Sequence, residues 1–216
     1  MLDDVCVVVT NYQTIDLLEI AVESFRKFYP DVKMLIIDNG SRDQSRNAIR
    51  ALAQKNPVRI LTRFYEKNIY HGPAMHAAAL ERTEPYLFFL DSDTQTMRGG
   101  FLERMVSALN EDEKLYGVGR LDHVNKRGFS TTEGTPILIS AYMMLRRNAY
   151  FELPPFKHHG MPTMENFAGA AAKGFTLKHF EMDNYIRHYG RGTASRFGYG
   201  LGLRGRLNFL LNKLGL

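Results

Sequence analysis

Two carboxylates separated by one residue, Asp91-Ser92-Asp93, directly follow the unbroken apolar run Tyr86-Leu-Phe-Phe-Leu90. Such a run reads as a strand buried on both faces. Carboxylate oxygens are hard ligands suited to Mg²⁺ or Mn²⁺. In open α/β sheets, ligands gather beyond the carboxyl ends of the strands. Asp91 and Asp93 are therefore candidates to hold a divalent cation and, through it, a diphosphate. A polar turn is the competing reading, and the position after a buried strand favours the cation.

The elements that must carry this pair alternate along the first half of the chain. Val5-Cys-Val-Val-Val9, Met34-Leu-Ile-Ile37 and Val58-Arg-Ile-Leu61 are strand-like. Helical patterns run from Thr14 to Phe28, from about Asp43 to Lys55, and from Pro73 to Arg82. Four βα units imply a parallel sheet with right-handed crossovers. Beyond Phe101–Leu109, a helix, the expectation is a strand near Leu115–Leu121, a polar loop over Asp122–Thr135 and a strand pair within Ile137–Leu145. A helix from Thr163 to Lys173, stopped by Gly174, and a strand over Phe175–Phe180 complete it.

Four ordered stretches, Thr10-Asn11-Tyr12, Asp38-Asn39-Gly40-Ser41, Glu66-Lys-Asn68 and Asp91-Ser92-Asp93-Thr94, resemble the motifs of family 2 glycosyltransferases of the GT-A fold. The resemblance implies an α/β three-layer sandwich with a mostly parallel central sheet. It implies transfer of a sugar from a nucleotide-sugar, with a lean to uridine, onto a glycan, lipid-linked or other hydroxyl acceptor, with inversion and Mn²⁺ or Mg²⁺. Thr10, with Asn11 beside it, and Asp38 would hold the nucleoside, Asp38 accepting from a base N–H. Asn68 and His76 would lie near the diphosphate. Asp91, with Ser92 beside it, would approach the ribose, and Asp93 would ligate the cation. A C-terminal His often supplies another metal ligand in such enzymes, which assigns that role to His188. Where inverting members carry Glu-Asp, this chain has Glu165-Asn166. Asn cannot accept a proton as a base, so Glu165 is the candidate, with Asp122 and Glu133 behind it. Glu165 could equally serve only the helix dipole.

Charge narrows the class. From Asn184 onward there are six basic residues and no acidic one, which leaves 22 Lys and Arg against 23 Asp and Glu before it. A neutral body with a basic tail is not the footprint of a nucleic-acid binder. We divide the chain into a catalytic unit, 1–183, and a tail, 184–216, read as a lid followed by an amphipathic helix. Leu203, Leu207, Leu210, Leu211 and Leu214 share one helical face with Arg204, Arg206 and Lys213 at its flanks. That face leaves open a docked helix, a dimer contact or peripheral membrane contact. The lone Cys6, in an apolar run, is expected to be a buried thiol. Asp3 and Asp4 stand where a secretory signal would be basic, so a cytoplasmic location is expected. Two rivals remain. A sugar-phosphate nucleotidyltransferase would need a Gly-rich basic loop after the first strand, which Thr10-Asn11-Tyr12-Gln13 lacks. A catalytically inactive binding module is suggested by Asn166.

Overall fold

The computed structural model describes residues 2–157 and 161–190. The first half alternates β1 (Val5–Asn11), α1 (Ile15–Phe28), β2 (Lys33–Asp38), α2 (Ser45–Lys55), β3 (Ile60–Phe64), α3 (His71–Glu81) and β4 (Tyr86–Asp91). A short β5 (Thr94–Thr96) and α4 (Phe101–Glu111) lead to β6 (Leu115–Val124) and β7 (Thr135–Arg146). One turn of helix, α5 (Arg147–Tyr150), then α6 (Met164–Ala172), β8 (Thr176–His179) and β9 (Ile186–His188) follow.

Seven strands form one sheet in the order β3-β2-β1-β4-β7-β6-β8. The four expected parallel strands lie side by side, with β1 at the centre between β2 and β4. Their side chains alternate between two cores. Val5, Val7, Val9, Phe88 and Leu90 pack on Leu18, Phe25, Ile49 and Phe101 of α1, α2 and α4. Cys6, Val8, Leu87 and Phe89 pack on Ala74 and Ala78 of α3 and on Phe167 of α6. Helix, sheet and helix therefore make three layers, with β1, β2 and β4 buried on both faces, as their apolar runs require. A fully buried Phe such as Phe88 contributes about 1.5–3 kcal/mol by area.

Two expectations change. The segment 137–145 is not a strand pair but part of the single strand β7, which runs unbroken from Thr135 to Arg146. β7 inserts antiparallel between β4 and β6, with an irregularity between Gly119 and Leu121 of β6 absorbing the surplus residues of β7. The third strand starts at Ile60 rather than Val58, which is 80% exposed in the turn after Asn56-Pro57.

The expected boundary after residue 183 has β9 beyond it, and β9 pairs with β5 immediately after Asp93. The tail from 191 onward, with its Leu face, lies outside the described residues, as do His158 and His159. Among the described residues, no helix is long and apolar enough to cross a membrane.

Candidate functional site

Parallel register brings the polar strand ends to one edge of the sheet. Asn11 stands opposite Asp38, Asp38 opposite Phe64, and Thr10 opposite Asp91. Residues distant in sequence thereby converge where a ligand would be met.

The centre of this edge is an acidic pair completed by an imidazole. Ligand atoms of Asp91, Asp93 and His188 all lie within 4.8 Å of one another. His188 Nε2 is 3.1 Å from Asp93 Oδ1. Three backbone features fix that approach. Thr94 is paired with His188 in the β5–β9 ladder, the Tyr189 N–H donates to the Asp93 carbonyl (2.9 Å), and the Met97 N–H donates to Tyr185 O (2.7 Å). The ring of Tyr142 stands edge-on to the His188 imidazole, centroids 6.1 Å apart. The hydrogen bond to Asp93 raises the His188 pKa against the opposing effect of burial. Enclosure raises the Asp91 pKa, opposed by His71 and reinforced by Asp93. Two carboxylates and an imidazole crowded in this way make a donor set that suits Mn²⁺ or Mg²⁺.

Around this group lies a buried polar network. Ser92, 6% exposed, shares a hydrogen bond with Thr14 (3.1 Å), and Thr14 donates to Asn11 Oδ1 (3.0 Å). Asn11 and Ser41 connect onward to Asp38. Asp38 is fully buried. Its Oδ2 accepts from the Ser41 N–H and from Arg46 Nε, both at 3.2 Å, while Arg46 also grips Tyr65 O and Glu66. In this arrangement Asp38 ties together the loops after β1, β2 and β3, and its carboxylate is not presented to an incoming base. Asn39 reaches across to Asn68 (3.1 Å), whose Oδ1 also accepts from the Tyr70 N–H (2.7 Å). Gly40, at φ +79°, allows this closure, because a Cβ there would sit 2.3 Å from Lys67 C.

From α3 the acidic pair is met by His71, whose Nε2 is 3.6 Å from Asp91 Oδ1. The expected residue of that helix, His76, is engaged elsewhere, its Nδ1 2.8 Å from the Tyr150 hydroxyl. Neither His71 nor Arg46 was singled out by motif. The signal for His71 was its place at the helix start, one residue before Gly72-Pro73.

Glu165 is half-exposed at the start of α6 and is paired with Lys157 at 2.5 Å. Lys157 in turn abuts the first turn of α3, where a Cβ on Gly72 would fall 1.7 Å from Lys157 O. Asn166 turns inward instead, fully buried, accepting from the Tyr116 hydroxyl (2.7 Å) and donating to Pro154 O (2.8 Å). Asp122 is occupied by Ser130 and the His123 N–H, and Glu133 is exposed in the β6–β7 turn.

Several known proteins are similar to this chain in structure or sequence. A solved mannosyltransferase, PcManGT from Pyrobaculum calidifontis in complex with GDP-Man and Mn²⁺, matches with a TM-score of 0.67 at 18% identity, covering 82% of this chain and 54% of that one. S. aureus TarS 1–349 in complex with UDP-GlcNAc matches with a TM-score of 0.61 at 16% identity, covering 89% and 61%. These likenesses establish the GT-A fold. An uncharacterised glycosyltransferase of Nostoc sp. is 27% identical over 122 residues, which is 56% of this chain and 37% of that protein. The chain therefore spans less than two thirds of the length of these relatives, from 37% to 61%. The model of glycosyl transferase family 2 matches residues 6–168, a range that holds every strand end described above except the one bearing His188, and the chain belongs to that family.

Proposed function

We propose that the protein transfers a sugar from a nucleoside-diphosphate sugar to a hydroxyl acceptor, with inversion, using Mn²⁺ or Mg²⁺ held by Asp91, Asp93 and His188. The observation that carries this reading is the convergence of those three groups within 4.8 Å at the carboxyl end of a family 2 sheet. A cation bound there neutralises charge on the departing nucleoside diphosphate.

The chain's own residues supply the rest. Thr10, Asn11 and Ser92 line or brace the strand ends that the nucleoside meets, with Asp38 and Arg46 holding the loops in register. Asn68 and His71 face the diphosphate side, His71 also steadying Asp91. Glu165 takes the proton of the acceptor hydroxyl as it attacks. Lys157 beside it, 2.5 Å away, must yield as the hydroxyl arrives. Support for a nucleotide-sugar donor comes from the two neighbours, which were solved with GDP-Man and UDP-GlcNAc. Both nucleotide classes are therefore test ligands here.

The test is a thermal-shift screen of UDP- and GDP-sugars with and without Mn²⁺, followed by turnover of whichever binds. A ligand at about 100 times its Kd stabilises by about 2.7 kcal/mol. The reading predicts a shift that needs both donor and cation. A donor shift unaffected by Mn²⁺ or Mg²⁺ would refute the metal-dependent form, and binding without turnover would favour the inactive-module alternative.

A further inference from the structure

Arg46, Arg59, Arg63, Arg82 and Arg120 each hold a carboxylate. Among the described residues, three other arginines sharing one face form no ion pair: Arg98 after β5, Arg104 on α4 and Arg187 in β9, all exposed. Tyr185 gathers two of them. The Arg98 guanidinium lies 6.0 Å from its ring centroid, and Arg104 Nη1 donates to its hydroxyl at 3.0 Å. Arg187, opposite Gln95 in the β5–β9 ladder, lies 5.8 Å from the ring centroid of Tyr189, whose hydroxyl donates to Gln95. In β9, Arg187 is exposed while Ile186 is buried and His188 meets Asp93; Tyr185, just before the strand, packs its ring against Phe101 and Phe180. Met97, beside Arg98, is 51% exposed. No acidic residue follows Asp183 in the sequence.

We propose that this Arg–Tyr face docks the protein on a bilayer surface bearing anionic phospholipid headgroups. Guanidinium groups free of carboxylates complement phosphate oxygens in fork geometry. Tyrosine rings suit the boundary where apolar and wet environments meet, and an exposed methionine gains from partial insertion. A soluble polyanion would use the arginines but not the methionine, which is why a lipid surface fits better. The inference goes beyond the transfer reaction and is read without any activity.

The experiment sediments the full chain with phosphatidylcholine vesicles, either pure or with about one third phosphatidylglycerol, at low and high salt. Each arginine near such a surface is worth about fivefold in partitioning. The triple variant Arg98→Gln, Arg104→Gln, Arg187→Gln should lose at least about tenfold of the anionic-vesicle binding at an unchanged Tm, and the wild-type binding should weaken with salt. The single Arg98→Gln variant, at a position outside helices and strands, covers misfolding of the triple variant and should lose several-fold. Wild-type partition retained by these variants would overturn the proposal, since the tail would then carry all binding. So would equal affinity for neutral vesicles, or binding to soluble polyphosphate with none to vesicles.

Discussion

Glu84 offers a stability measurement whose size follows from geometry. It lies just before β4, at the opposite end of that strand from Asp91, and is 4% exposed. Arg82 binds its carboxylate in fork fashion, Nη2 to Oε1 at 2.8 Å and Nε to Oε2 at 3.0 Å, and Lys33 adds a contact at 3.1 Å. Burial alone would raise this carboxyl, but the hydrogen bonds from Arg82 and Lys33 outweigh it and bring the pKa from 4.5 to about 2. A depressed folded-state pKa means stability that is present above pH 4.5 and lost as the pH falls toward 2. At about 1.4 kcal/mol per unit, the stake is about 3 kcal/mol. Glu84→Gln should therefore lower the Tm at pH 7 by about 6–12 °C, at 2–4 °C per kcal/mol for a chain of this size. The gap should close as both proteins are taken from pH 5 to pH 2. Circular dichroism melts across that range read it out. A gap below 2 °C at pH 7, or one that does not change with pH, would refute the reasoning.

Other outcomes follow from single contacts. Gly72→Ala would ordinarily favour a helix by about 1 kcal/mol. Here the added Cβ meets Lys157 O, so the variant should instead lose about 1–3 kcal/mol in denaturant melts. Glu165→Gln should keep donor binding by calorimetry while transfer falls by about 10² or more; unchanged turnover would reduce Glu165 to a helix-start residue. Cys6, fully buried with its thiol pushed up to about 12 mainly by burial, should resist thiol reagents until the protein unfolds, as a labelling time course will show.

The parts of the fold that were legible in the sequence are those written in long apolar runs. β1, β2 and β4 are buried on both faces, so nearly every residue of each carries the signal. Helices α1 and α4 were legible for the related reason that one face of each is apolar. β7 was misread because a strand that bulges against one neighbour while staying paired to the other has no local marker. β5 and β9 have three residues each, too few for periodicity, yet their pairing is what brings His188 to Asp93. Within the site, residue type and strand position marked Asp91 and Asp93, the family resemblance marked His188, and the structure brings the three within 4.8 Å of one another. His71 and Arg46 were missed because their roles exist only once α3 and α2 are docked on the sheet. The burial of Asn166 against Tyr116 is likewise a tertiary fact, giving that side chain a structural role of its own.

The central claim is that Asp93, with Asp91 and His188, holds the cation through which the donor is bound. Titration calorimetry of Mn²⁺ into wild type and Asp93→Ala, each with and without the nucleoside diphosphate chosen by the donor screen, tests it most directly. The account predicts that the substitution abolishes Mn²⁺-dependent nucleotide binding while circular dichroism melts keep a single cooperative transition. Near wild-type Mn²⁺-dependent binding by Asp93→Ala would contradict it.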